Sequence, residues 1–209
     1  MDRLLSLYRQ NARPEWRWFE DLLAYDNPRL CQAMIAAGRL GHPEALEVGL
    51  ESLLWLMELQ TVHSERAGGR LRQGSGNYAA TRHLRPIGSD WVYHREGERA
   101  QFAQQPLEAH ACVSACLEAY RATSDETWLG YARRSFEWFL GRNDLGLPLY
   151  DSVTGGCRDG LQVDRINENQ GAESSLAYLL ACAELRQVEQ LVASFDRPSL
   201  LMSVPAVAV

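Results

Sequence analysis

Glu168 stands between Asn167 and Asn169, and the polar run continues through Gln170, Gly171, Ala172 and Glu173 to Ser174 and Ser175 before an apolar helix begins. A carboxyl set between two carboxamides can trade a proton while the amides orient it and grip hydroxyl groups. A helix N-terminus adds free N–H groups and partial positive charge, which favour hydroxyl and anionic ligands. A second junction of this kind is Gln104-Gln105-Pro106-Leu107-Glu108, with His110 two residues further on. The imidazole can act as acid or base because its unperturbed pKa lies near working pH. A third acid, Asp159, follows Arg158 in the glycine-framed loop Gly155-Gly156-Cys157-Arg158-Asp159-Gly160. Each group also has a structural reading. Glu168, Glu173 and Glu108 can cap helix starts, Asp159 can be a turn residue paired with Arg158, Gln104 and Gln105 can tie a loop to its own backbone, and His110 can be a buried, hydrogen-bonded side chain.

Helices must position these groups. Apolar residues recur at helical spacing, and β-branched runs are scarce. Helices are predicted near 15–24, 28–38, 43–59, 106–121, 126–141 and 172–190, with a shorter one near 2–10. Asn27-Pro28, His42-Pro43 and Gln105-Pro106 place proline at the first helical position, where its missing N–H is harmless. Ser124-Asp125-Glu126 supplies a cap and early negative charge.

A hairpin repeats. Leu46, Leu53, Trp55 and Leu56 recur 83 residues later as Leu129, Phe136, Trp138 and Phe139. The helix before each set is rich in Ala and Cys, which permits close approach in an inner layer, whereas the aromatic helices need one broad apolar stripe. Links within a hairpin are short; those between hairpins, roughly 60–105 and 142–171, are long. Compact domains seldom carry loops beyond ~12–15 residues unless they are functional. The expected layout is an all-α, α/α toroid, with parallel inner helices and the long loops gathered at their N-terminal pole. In the first loop, Gly68-Gly69 and Gly74-Ser75-Gly76-Asn77 read as flexible, and Ile87 to His94 as a short strand or pocket wall. Trp91 and Tyr93 there offer flat apolar faces, or pack the loop onto the helices. The tail from Asp196 has no helical phase.

Composition narrows the partners. All 21 basic residues are Arg, the net charge is -6, and no basic run appears, which argues against nucleic acid. The absence of Lys removes Schiff-base chemistry. No apolar run reaches the ~18–20 residues that span a bilayer, and the N-terminus lacks a signal-peptide pattern, so a cytoplasmic protein is expected. The five cysteines include no CxxC pair, so neither a metal nor a disulfide framework is expected. P-loop, dinucleotide, HExxH and Gly-x-Ser-x-Gly signatures are missing, and no cofactor is expected.

The stretch Glu98-Arg99-Ala100-Gln101-Phe102-Ala103-Gln104-Gln105-Pro106, the loop Gly155 to Gly160 and the run Asn167 to Ser175 resemble a bacterial family of α/α-toroid domains. That family is similar to the six-hairpin glycosidases and is linked to glycosyltransferases. The resemblance spans roughly 80–190 and extends loosely over the first hairpin. It implies a carbohydrate ligand at the inner-helix rim and an acidic residue where Ala103 stands. It also implies that the six or seven helices here form about half a ring, which is either truncated, completed by a partner domain or a second copy, or a smaller half-toroid. Glycoside cleavage needs two carboxyls, ~5–5.5 Å apart for retention or ~6.5–9.5 Å for inversion, one of them kept protonated by burial or a neighbouring charge. Glu168 is the first candidate, followed by Asp159 and Glu108. Asn167, Asn169, Gln170, Glu173, Gln104, Gln105, Arg158, Trp91, Tyr93 and His110 are candidates for holding the sugar. The alternative is a non-catalytic glycan-binding or assembly module of a glycosyltransferase system.

Overall fold

The computed structural model describes residues 1–62 and 82–195. Its elements run α1 (Asp2–Asn11), β1 (Leu22–Leu23), α2 (Pro28–Arg39), α3 (Pro43–Leu59), β2 (Thr61–Val62), β3 (His83–Leu84), β4 (Tyr93–His94), α4 (Pro106–Thr123), α5 (Glu126–Glu137), β5 (Gly160–Leu161), β6 (Ile166–Asn167) and α6 (Ala172–Phe195). The described residues are thus mostly α-helical, with three two-stranded ribbons. The helix starts follow from local chemistry. Proline opens α2, α3 and α4 where an N–H would have no partner. Asp125 caps α5 by accepting from the Thr127 N–H at 2.9 Å.

Helices α2 and α3 form one hairpin and α4 and α5 another, while α4 also packs between α2 and α6. Cross-links at both ends show that α2 and α4 are parallel: Arg29 reaches His110 near their starts, and Arg39 pairs with Glu118 at 2.6 Å near their ends. Helix α6 runs against α5, because Phe136 stacks on Tyr178 while Arg133 pairs with Glu189 at 2.9 Å. The starts of α2, α4 and α6 therefore share one pole. Close packing depends on small residues. Ala109, Ala111, Cys112, Ala115, Cys116 and Ala119 of α4 are fully buried, and a Cβ on Gly38 would overlap Leu46 of α3. The repeated positions Leu53, Leu56, Leu129, Trp138 and Phe139 are core residues, with Leu46, Trp55 and Phe136 packed against them. Cys31, Cys112 and Cys116 are fully buried. Burial pushes the Cys31 thiol up to about 12 and raises the other two as well.

Two helical expectations are corrected. Residues 15–24 are not helical. Trp16, Trp18 and Phe19 are buried there, yet Asn11 donates to the Phe19 carbonyl at 2.8 Å, Trp16 Nε1 donates to Glu20 O at 2.7 Å, and Leu22 and Leu23 pair with His94 and Tyr93. Nearby side chains and the distant strand β4 take over these backbone groups. The helix expected over 126–141 ends at Glu137 and tightens into a 3-10 turn at Trp138–Leu140, stopped by Gly141 at φ 98°.

The returning half of the first long connection is ordered by polar anchors. Ribbon β2–β3 joins it to the end of α3, and Arg99 donates to Leu59 O at 2.5 Å and to Arg85 O. Gly88 packs so closely on Phe102 that a Cβ would overlap its carbonyl oxygen. The glycine pairs at 68–69 and 74–76, and the tail from Asp196, lie outside the described residues. Among those described, no helix is long and apolar enough to cross a membrane. The outer side of α6 exposes Leu176, Leu179 and Leu180, each about half accessible.

Candidate functional site

Glu108 projects from the first turn of α4 and is 4% exposed. Its Oε1 accepts the Asp26 N–H at 2.6 Å, and its Oε2 is buried without a hydrogen-bond partner. Burial pushes the carboxyl up to about 7; the nearby Asp26 carboxylate adds to the rise, and the Asp26 N–H opposes it. The start of α4 favours the ionised form, but desolvation prevails. Asp26 lies just before α2 at φ 51°, a left-handed conformation that Asp tolerates better than most residues. That conformation accompanies the turn of its N–H toward Glu108. Burial raises its own carboxyl as well, against Arg29, whose Nε lies 3.4 Å from Oδ1.

A row of polar groups extends from this pair. Arg29 Nη2 lies 3.3 Å from His110 Nδ1, His110 Nε2 lies 3.3 Å from Glu184 Oε1, and Ser114 donates to Glu184 Oε2 at 2.6 Å. A guanidinium can only donate, so Nδ1 accepts and Nε2 carries its hydrogen toward Glu184. Burial would raise the Glu184 carboxyl, but His110 and Ser114 hold it below its ordinary value. Glu173, on the first turn of α6, is close enough for its charge to act on Tyr25 and Asp26 at this pole; Tyr25 is 56% exposed.

The loop before α6 closes on itself. Asp159 accepts from Gly171 N at 2.7 Å and from Asn169 Nδ2, and Ser174 also bonds to it. Burial would raise Asp159, but these bonds hold it low, so it caps the α6 start as an ionised group. Gln170 donates to Asp151 at 3.1 Å and accepts from Thr154 at 2.7 Å. Asn167 pairs with Gly160 in ribbon β5–β6, and its Oδ1 accepts Asn169 N at 3.2 Å. Arg158 lies 2.6 Å from Glu168 and 3.5 Å from Asp151. The Glu168 side chain is 76% exposed and lines an open cleft of about 570 Å³ with Gln162, Arg165, Ile166 and Asn167. Nothing buries it as Glu108 is buried.

Gln104 lies in the interior. Its amide donates to Gln101 O at 2.8 Å and to Asp144 at 2.7 Å, and accepts from Trp138 Nε1 at 2.8 Å. The same Asp144 receives His83 at 2.9 Å and Arg85 at 2.5 Å. Burial alone would raise Asp144, but His83, Arg85 and Gln104 hold it well below the carboxylate range. Gln105 precedes α4 and makes no side-chain cap. Tyr93 packs on Trp16, while Trp91 is 52% exposed and donates to Glu98 O at 2.9 Å. Among the described residues no group of three His, Cys, Asp or Glu side chains can hold a metal ion.

Thus Glu108, His110 and Glu173 come together, whereas Glu168, Asp159, Arg158, Asn167, Asn169 and Gln170 form a separate capping loop. Asp26, Arg29, Tyr25 and Glu184 complete the first group and were not among the sequence candidates. The one local signal was Asp26 standing two residues before the proline that opens α2.

Ala103 shows a different kind of departure. It holds φ 54°, kept there by its carbonyl, which accepts from Ser89 N at 3.1 Å and Ser89 Oγ at 3.0 Å. A left-handed alanine is disfavoured, and Asn tolerates the region better, so Ala103→Asn should stabilise the fold by about 0.5–1 kcal/mol. An unchanged or lower denaturant midpoint would show that the backbone there is relaxed. Comparison with known protein families and with curated proteins gives no match for this chain.

Proposed function

We propose that this protein is carbohydrate-active and holds a sugar at the pole where α2, α4 and α6 begin, with Glu108 as the proton donor of a glycosidase-type reaction. The observation that carries the reading is the Glu108 carboxyl: buried, raised to about 7, fixed through one oxygen and unpartnered at the other. A carboxylic acid able to protonate a leaving oxygen near neutral pH needs such an environment. Asp26 is the neighbouring carboxyl from which an acid/base pair is built. Burial and hydrogen bonding make Glu108 a better donor than Glu168 or Asp159. In this reading the parallel inner helices and antiparallel outer ones are part of an (α/α)6-type ring. A second copy or partner domain then covers the Leu176, Leu179 and Leu180 face of α6. Fold alone does not decide the chemistry.

The test is reducing-sugar release from a broad oligosaccharide panel by the wild type, Glu108→Gln and Glu168→Gln. Release lost in Glu108→Gln and kept in Glu168→Gln supports the assignment; the reverse pattern transfers the donor role to Glu168. Ala103, where the resemblance implies an acid, favours a second reading: a non-catalytic glycan-binding module. Sugar binding without release by folded wild type supports that reading.

A further inference from the structure

Helix α6 is apolar on two sides. Ala177, Ala181, Leu185 and Val188 face inward, where the helix packs on α4 and α5. On the far side Leu176, Leu179, Leu180 and Ala183 form a second apolar stripe at helical spacing, with Glu173 and Gln187 at its ends; all six are exposed. The three leucines are about half accessible to water. Among the described residues, no other helix exposes more than one large apolar side chain. A head-to-tail contact between copies would need a different apolar helix face to receive this stripe, and the described helices offer none. An isologous contact needs no second surface, because the same patch serves on both copies.

The stripe matches itself when reversed. We propose that two copies of this chain pair through α6, antiparallel, about a two-fold axis beside Leu179 and Leu180. Antiparallel pairing brings like flanks together. Leu180 then meets its own copy on one flank and Leu179 meets its own copy on the other. Along the middle, Leu176 sits over the partner's Ala183, whose small side chain lets the helices approach. Glu173 falls opposite the partner's Gln187 and can accept from its amide, so no like charges face each other across the seam. The leucines form an apolar centre inside a polar rim, as specific interfaces do. The contact totals roughly 1,000 Å², the lower bound for a specific interface, so the association is weak and reversible, with a Kd of ~10–100 μM. This pairing rests on the reading above only in that a partner covers the α6 face, and it commits that partner to a second copy. The two poles then lie at opposite ends of the dimer, each open to its own ligand.

The experiment is sedimentation equilibrium of the full chain from ~5 to ~500 μM, a range that brackets the expected Kd. Wild type should shift from monomer to dimer across it. Leu180→Glu and Leu180→Arg, each placing like charges at the axis, should each raise the Kd at least ~tenfold. An equimolar mixture of the two should associate at least ~fivefold more tightly than either alone, because opposite charges then meet. Leu180 is half exposed, so these changes leave the core intact. Should either variant fail to fold, Ala183→Glu, on an exposed position, sets a charge against the partner's Leu176 and should weaken the dimer likewise. A monomer at every concentration overturns the pairing, and is the result if the tail from Asp196 or another protein covers the stripe instead. A dimer that these variants do not weaken overturns it too, by placing the contact elsewhere. Weakening without recovery in the mixture overturns the two-fold arrangement. Each of these results leaves the sugar reading standing, which the release assay tests separately.

Discussion

Glu108→Gln should flatten the pH dependence of stability and make the protein more stable than wild type above pH 7. Burial pushes the Glu108 carboxyl up to about 7 in the fold, against the ordinary glutamate value of about 4.5 in the unfolded chain. Between those values the native state binds the extra proton, so stability falls as pH rises. The full contribution is present below about pH 4.5 and is lost as pH passes through 7, a change of about 3 kcal/mol. Glutamine keeps the shape, still offers an oxygen to the Asp26 N–H, and never ionises. At pH 8 the variant should therefore exceed wild type by about 3 kcal/mol, and at pH 4 the two should agree within about 1 kcal/mol. Urea unfolding across pH 4–8 checks this. Parallel slopes for the two proteins would mean that Glu108 ionises at no unusual cost. Stabilisation combined with loss of turnover would be the signature of a group kept for chemistry rather than for folding.

Asp144→Ala should act in the opposite direction. The carboxylate is 6% exposed and joins His83, Arg85 and Gln104. Removing it leaves a part-buried guanidinium and an amide hydrogen without their acceptor. Such breaks destabilise by about 3 kcal/mol or more. Because Asp144 is held well below the carboxylate range, its contribution exists above the unfolded value near 4 and is lost only as pH falls well below that. The variant should thus be weakened throughout pH 4–8, with no slope of its own. A loss under 1 kcal/mol, measured by chemical denaturation, would show that the network relaxes around the gap. The coupling runs through Gln104. Its amide links Asp144 to Trp138, so weakening at Asp144 should reach the 3-10 turn that ends the second hairpin.

The hairpins were legible because their signals are local. Proline at the starts of α2, α3 and α4, Asp125 before α5, and the repeated Leu and aromatic positions all act within a few residues. Segment 15–24 misled because its apolar spacing also suits an irregular strap buried by α3 and β4, and its partner strand lies some 70 residues away. The site was half legible for the same reason. Glu108 and His110 share a helix start, and their spacing is visible. Asp26 acts on Glu108 across 82 positions through a backbone N–H, which no side-chain motif records. The run Asn167 to Ser175 looked rich in ligands because capping loops and binding loops draw on the same residue types. The partners of Asp159 and Gln170 belong to that loop's own closure.

The three thiols enclosed where α2 meets α4 give the molecule an internal clock. Cys31, Cys112 and Cys116 have no accessible surface, and desolvation disfavours their thiolates, the form that alkylating reagents attack. Each becomes reactive only when the parallel helices part. Their modification therefore times separation of the layer itself, whereas Cys182, partly exposed on α6, reports its own surface. A shared rate for the buried three would identify α2 and α4 as one cooperative unit. Three separate rates would show that the layer opens helix by helix.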